Sequence, residues 1–149
     1  MQLVHFADDA ALAAAGMATY GERDAVAAIL SEIYAAAAHF HMRLPELFCG
    51  FSRSPGEPPI AYPVACLPQA WAAGSVFLML QAALGLSIDA WTGTIDMADP
   101  VLPAGVDRLK VANLRVGDAL VDLNIQHVDG RSVVIPRNRR GDVAVRILR

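Results

Sequence analysis

The sequence predicts a mainly α-helical chain that ends in a small antiparallel β meander. Before residue 41, a segment rich in helix-forming residues is followed by one that repeats apolar residues at the spacing of one helix face. A third segment, from Trp71 to Ile88, is uncharged and mostly apolar, as expected of a helix that other helices surround. After residue 118 the pattern changes to the two-residue alternation of β-strands. We therefore divide the chain into a helical part, residues 1–112, and a β tail, residues 113–149.

Length and composition limit the class of protein. The chain has 149 residues, which is the size of a single domain. Apolar residue types make up 55% of it and charged types 18%, so it is apolar for a protein that must cover its own surface. We therefore expect that much of this surface meets a partner or that part of the structure is missing. The net charge of −3 lacks the positive footprint that nucleic acids and acidic membranes attract, so we expect no nucleic-acid partner.

The cysteines and the N-terminal residues bear on the cellular compartment. Cys49 and Cys66 are too few for a disulfide framework and lack the paired spacing of a zinc site. We expect reduced thiols, no metal and no cofactor. The N-terminus, MQLVHFADD, has no basic segment, and acidic residues follow after only a few apolar ones, unlike a signal peptide. These features predict a cytoplasmic location.

Two helices are predicted in the first part of the chain. The first extends from about Asp9 to Tyr20, where acidic residues favour the helix start and Gly21 follows its end. The second extends from about Arg23 to Phe40 and carries an apolar stripe at helical spacing. Alanines on its opposite face would let another helix approach closely. We therefore expect the second helix to pack on both sides.

A long loop is predicted from Arg43 to Pro68. The five prolines and two glycines between these residues prevent a helix or a central strand. Loops of this length are uncommon in compact domains unless they are functional or disordered. Because Phe48, Phe51 and Tyr62 lie within it, we interpret it as a functional loop.

The apolar segment from Trp71 to Ile88 has two interpretations. Its 18 uncharged positions approach the length of a transmembrane helix. A glutamine, two glycines and the absence of flanking Lys or Arg speak against a membrane span. We therefore expect a helix surrounded by other helices, as in the inner ring of a helical barrel or the centre of a bundle. The alternative is a small membrane-associated protein anchored by this segment.

The C-terminal residues predict three strands, which follow a loop from Asp89 to Asp107 that is rich in Gly, Asp and Pro. Asp129-Gly130 supplies a tight-turn signal after the first strand, and a polar turn from Arg137 to Asp142 follows the second. The three predicted strands cover residues 119–126, 132–135 and 143–147. They form the antiparallel meander.

The densest group of polar residues follows the second predicted helix, in HFHMRLPELFCGFSR, residues 39–53. A carbohydrate site needs this mixture, because aromatic faces stack on sugar rings, Arg and His donate to hydroxyls, and a carboxylate does acid/base work. Glu46 is the only acid between Glu32 and Glu57 and is the candidate for catalysis. The alternative is a loop that ends the helix, in which Glu46 only pairs with Arg43.

The same segment carries a resemblance to a known family. The stretches RLPELFCGFSR, residues 43–53, and YPVACLPQAWAAG, residues 62–74, resemble paired motifs of the amylo-α-1,6-glucosidase (glycogen-debranching-like) glycoside hydrolases. Asp9-Ala-Ala-Leu12 resembles the family's His-Asp-Asn-Ala-Leu segment, although the His and the Asn are replaced here. Leu114-Arg-Val-Gly117 and the following residues resemble the family's small β tail.

This resemblance implies that the chain is the C-terminal part of an (α/α)6 barrel, the six-hairpin glycosidase fold, acting on an oligosaccharide or glycoside. It implies that Glu46 is the general base that activates water in an inverting hydrolysis. The general acid is implied to come from an upstream helix that this sequence lacks. The resemblance further implies a set of substrate-binding residues, which are Asp9, Arg43, Phe48, Tyr62, Gln69 and Trp71.

Alternatives stay open for residues and for function. Trp71 at the start of an apolar helix is also typical of a core residue, and Tyr62 can equally pack on the loop. The alternative function is a non-catalytic remnant that binds saccharide or serves as an interaction surface, which the lack of an acid partner for Glu46 favours. Exposed faces of the three helices would predict a homo-oligomer or association with a separate upstream polypeptide that completes the barrel.

Overall fold

The structure, a computed structural model, is a mixed α/β protein and describes residues 4–52, 54 and 56–148. Strands account for 35% and helices for 31% of the residues, so the predicted mainly α fold with (α/α)6-barrel helices is wrong. The described residues form three helices and three three-stranded sheets in two compact units, Met1–Leu80 and Gln81–Arg149. Several strands were not predicted from the sequence. Strands of two to five residues show too few alternations of apolar and polar residues to be distinguished from loops.

Two alanine-rich helices form the first part of the first unit, as predicted. Helix α1 spans Ala7–Thr19 and helix α2 spans Arg23–His39. Alanines at helical spacing are buried in α1, and their small side chains allow α2 to pack closely against it. Gly21, at φ +86°, follows α1 and donates its N–H to the Ala18 carbonyl at 3.1 Å, which ends the helix.

A small antiparallel sheet lies in the same unit. Its strands, in spatial order, are β1 (Val4–Phe6), β2 (Leu47–Cys49) and β3 (Ile60–Ala61). The prediction that the proline-rich loop holds no central strand is wrong for β2. Between Pro45 and Pro55 no proline interrupts the chain, so the backbone N–H groups of β2 can pair on both sides.

The third helix, α3, spans Ala70–Ala83 and is shorter than predicted. Gly85, at φ +55°, follows it, and Leu86–Asp89 forms strand β4 instead of continuing the helix. Over the part of the chain that the structure describes, every helix is too short or too polar to cross a membrane.

The second unit contains one mixed sheet. Strand β5 (Thr94–Ala98) lies at its centre and pairs antiparallel with β4 and parallel with a C-terminal strand, Ala144–Leu148. The predicted loop from Asp89 to Asp107 is therefore wrong for β5, where Ile95 and Met97 are fully buried. The predicted C-terminal strand is confirmed, but it belongs to this sheet and not to the meander.

The second sheet of this unit is an antiparallel meander. Its strands are β6 (Arg108–Val116), β7 (Ala119–Val128) and β8 (Arg131–Arg140), so the C-terminal strand is β9. The predicted turn at Asp129-Gly130 is confirmed, and both residues have positive φ. Strand β6 was not predicted, and the proposed boundary between residues 112 and 113 falls inside it. Strand β8 continues through most of the predicted polar turn.

Candidate functional site

The end of α2 fixes where the predicted site begins. His41 and Met42 have φ angles of +53° and +61°, which are uncommon for residues other than glycine. The Met42 N–H donates to the Ala37 carbonyl at 2.8 Å and closes the end of the helix. Arg43 follows directly, so the geometry of this helix end sets its backbone position.

Hydrogen bonds join the two segments that carry the family resemblance. The Glu46 N–H donates to the Cys66 carbonyl at 2.8 Å, and the Gln69 N–H donates to the Leu44 carbonyl at 3.1 Å. Two stretches that are separate in the sequence are therefore neighbours in the fold. Arg53, the last residue of the first stretch, lies outside the described residues.

A groove with a volume of about 390 Å³ is lined by this region and by residues of α2 and α3, and we term it the Arg43 groove. Its volume lies in the range of small-molecule sites. Two of the predicted substrate-binding residues, Arg43 and Gln69, line it together. Exposed rings of Tyr34 and Phe77 line it as well, and most of its remaining wall is aliphatic. The groove thus combines aromatic faces with one guanidinium and one amide.

Glu46, the predicted general base, is half-buried in the same region. Its Oε2 accepts a hydrogen bond from the Cys66 N–H at 3.3 Å, in addition to the backbone bond between the two residues. Among the described residues Glu46 makes no ion pair with Arg43, so the alternative pairing predicted for the loop is not formed. Glu46 adjoins the Arg43 groove through the segment it shares with Leu44 and does not belong to the described lining.

Phe48 and Tyr62 differ in their access to a ligand. Phe48 is buried and its ring stacks on Phe40, with 6.3 Å between ring centroids and 29° between ring planes. Tyr62 is exposed after β3, at a turn where its carbonyl accepts the Ala65 N–H at 3.0 Å. Of these two predicted contacts, Tyr62 therefore presents more surface to a saccharide.

Trp71 does not line the Arg43 groove. It is 75% exposed and lines a second groove of about 520 Å³, which we term the Trp71 groove. Leu12, Gly74 and Leu78 also line this groove. Trp71 is thus not a core residue of the first unit, and it is not brought together with Arg43 and Gln69.

Asp9 also lies apart from the Arg43 groove. It is exposed in the first turn of α1, whereas α2 and α3 supply the helical walls of the groove. Within the described residues, no three His, Cys, Asp or Glu side chains are grouped so that they could hold a metal ion. The described lining includes one charged side chain, that of Arg43, and Glu46 lies three residues further along the same segment.

Tyr34 and Phe77 were not predicted as ligand contacts. Tyr34 belongs to the apolar stripe of α2 but is 64% exposed, and its hydroxyl, which needs water or another partner, was the available signal. Phe77 gave no signal, because nearly every position of its helix is apolar and the pattern does not distinguish a buried from an exposed side.

The chemistry of this region follows from its side chains alone. No protein-family model, curated protein or solved structure matches the chain. Aromatic faces, a guanidinium and an amide can stack on the apolar faces of a sugar and donate to its hydroxyls. The nearby carboxylate of Glu46 adds a group that can accept a proton.

Proposed function

We propose that this chain is related to glycoside hydrolases and binds an oligosaccharide or glycoside in the Arg43 groove. One observation carries the proposal: the two segments that resemble the family motifs are hydrogen-bonded to each other. Arg43, Glu46 and Gln69 therefore belong to one region of the first unit although they come from separate stretches of sequence. A chance likeness in two unrelated loops would not require the two stretches to meet.

Three of the lining side chains have distinct roles in saccharide binding. The exposed ring of Tyr34 offers a platform for the apolar face of a sugar ring. The Arg43 guanidinium donates to hydroxyl groups. The Gln69 side-chain oxygen accepts the Ala70 N–H at 3.0 Å, which leaves its amide nitrogen to donate to the ligand. These contacts suit a neutral saccharide.

In this proposal Glu46 is the general base of an inverting hydrolysis. One carboxylate oxygen holds the Cys66 N–H, and the other accepts a proton from the water that attacks the anomeric carbon. A second carboxyl group, roughly 6.5–9.5 Å away in inverting enzymes, protonates the leaving oxygen as the glycosidic bond breaks. We propose that a separate polypeptide supplies that acid.

A non-catalytic saccharide-binding protein is the second candidate. The Glu46 carboxylate accepts the Cys66 N–H, so this side chain has a structural role that does not require catalysis. For either candidate we propose a cytoplasmic location, since both cysteines are free and free thiols are typical of reducing compartments.

Titration of isotope-labelled protein with maltose and isomaltose, followed by NMR, tests the binding step. We expect chemical-shift changes around the Arg43 groove. Arg43→Ala should weaken binding about tenfold or more, because a hydrogen bond to a charged group contributes about 1.5–3 kcal/mol. Arg131→Ala, which removes an exposed arginine of the second unit, is the matched control and should leave the affinity unchanged. No shift change at millimolar sugar would contradict the proposal.

Release of sugar by wild type and Glu46→Gln separates the two candidates. A general base contributes about 10²–10⁴-fold to the rate, so a catalytic Glu46 predicts a loss of that size with binding retained. Binding by wild type without any release of sugar would instead favour the non-catalytic candidate.

A further inference from the structure

One face of α3 is apolar, uncharged and exposed. Trp71 and Phe77 are 75% and 74% exposed, and Gly74 lies between them in the helix. No charged residue occurs from Pro58 to Ile88. An exposed apolar surface of this kind is typical of a site where another protein binds.

The side chains on this face are arranged symmetrically about Gly74. Trp71 lies three residues before it and Phe77 three residues after it. At about 100° of rotation per residue, the two rings project roughly 60° to either side of the line through Gly74. The grooves agree with this arrangement, because Trp71 lines the Trp71 groove and Phe77 lines the Arg43 groove. The same face therefore offers both a protruding ring and a groove that can receive one.

We propose that two copies of this chain associate through α3, with the two helices antiparallel about a twofold axis at Gly74. A twofold axis there sets Trp71 of each copy level with Phe77 of the other. Trp71 then enters the Trp71 groove of the second copy, between Leu12 and Leu78. A face that supplies both partners of a contact satisfies the requirement of an isologous dimer.

Gly74 permits the close approach that this contact needs. A Cβ atom added at Gly74 would meet no other atom within 4 Å, so the backbone there is open to a neighbouring helix. Because α3 itself has no charged side chain, the twofold axis brings no like charges of the two α3 helices together.

The exposed area is large enough for a specific dimer. Aromatic side chains have roughly 150–250 Å² of surface each. With the exposed fractions of Trp71, Phe77 and Leu12, the face presents roughly 500–600 Å² per copy once the small residues between them are included. Complete covering of this surface in both copies would bury roughly 1,000–1,200 Å², which is at the lower limit of ~1,000 Å² for a specific interface. The proposal does not depend on saccharide binding.

Sedimentation velocity over a range of protein concentrations tests the dimer. We expect wild type to move from the 15.9 kDa protomer to twice that mass as the concentration rises. Gly74→Leu places a side chain in space that is open within one protomer but filled in the dimer, so the fold is retained and the dissociation constant rises at least tenfold. Trp71→Ala removes the ring that enters the groove and should weaken association as well.

Ala28→Leu provides the matched control. It adds a leucine to an exposed position of α2 outside both grooves and should leave the dissociation constant unchanged. Circular dichroism confirms that each variant is folded. Wild type that stays a protomer at every concentration would overturn the proposal, as would a dimer that neither Gly74→Leu nor Trp71→Ala weakens.

Discussion

Asp122 is a charged residue buried in the middle of β7. Its Oδ1 accepts the Asn113 N–H at 2.8 Å and its Oδ2 accepts the Asn138 side-chain amide at 2.8 Å, with the Lys110 Nζ at 3.6 Å. Asn113 and Asn138 have positive φ and lie where β6 and β8 shift register against β7. One carboxylate thus ties a bulge in each neighbouring strand to the central strand.

The same contacts make the stability of the meander depend on pH. The Asn113 N–H, followed by the Asn138 amide, holds the pKa of Asp122 below its ordinary value of 3.8. Because the pKa is lowered in the folded state, the stabilisation is present above pH ~4 and is lost as the pH falls through the folded-state value. We expect Asp122→Asn to lower the urea midpoint at neutral pH, and its difference from wild type to shrink below pH ~4.

Asp118→Asn is the control for this substitution. Asp118 is exposed, and its nearest cation, on Arg115, lies 4.0 Å away, so its removal should change the urea midpoint little. If Asp122→Asn were as mild as Asp118→Asn at neutral pH, the carboxylate would not be holding the two bulges.

At the scale of elements, two glycines with the same φ angle distinguish the cost of a left-handed backbone from the cost of a steric clash. Gly130, in the turn between β7 and β8, and Gly141, just after β8, both have a φ of +77°. A Cβ at Gly130 would meet open space, whereas a Cβ at Gly141 would lie 3.0 Å from the Ala119 Cα. Gly130→Ala should therefore cost about 1–2 kcal/mol in unfolding free energy, the price of a left-handed residue with a side chain.

Gly141→Ala should cost more than Gly130→Ala, because the Ala119 backbone must also move. Urea unfolding of both variants, followed by the signal of the second unit, measures the difference. Equal losses would mean that the close approach of Gly141 to β7 does not constrain this sheet.

The strength of each local pattern determined what the sequence could predict. Helix α2 and strand β7 are long enough for their periodicity to identify them, whereas α1 was predicted from its end residues and helix-forming composition. Strand β5 has five residues, with only Ile95 and Met97 fully buried, so its alternation resembles a loop. The parallel partner of β9 is set by the tertiary fold and not by its own residues. Arg43 and Gln69, both predicted from the family resemblance, line one groove, whereas the evenly apolar sequence of α3 concealed which of its residues are exposed.

At the scale of the whole molecule, the structure shows where part of the exposed apolar surface lies. The composition, 55% apolar with a net charge of −3, predicts either a surface that meets a partner or a missing part of the structure, but not where that surface lies. In the structure, the most exposed aromatic residues of the first unit include Trp71 and Phe77, on one face of α3. Covering that face would remove apolar surface from water without separating any charge from its solvent.

Self-association through α3 would make the stability of the whole chain depend on protein concentration. A dimer forms from folded and not from unfolded chains, so each tenfold rise in concentration above the dissociation constant adds about 1.4 kcal/mol per mole of dimer. We expect the Tm of wild type, measured by scanning calorimetry, to rise with concentration, and that of Gly74→Leu to begin rising only at concentrations at least tenfold higher.

The two Tm curves should also cross. Replacing a helical glycine by leucine raises helix propensity by up to about 1 kcal/mol, so Gly74→Leu should match or exceed the Tm of wild type in dilute solution. At high concentration wild type gains more free energy from association than the variant, whose dimer is at least tenfold weaker, and wild type becomes the more stable protein. Parallel curves would mean that the leucine acts only through helix propensity, and that the α3 face does not bind a second copy.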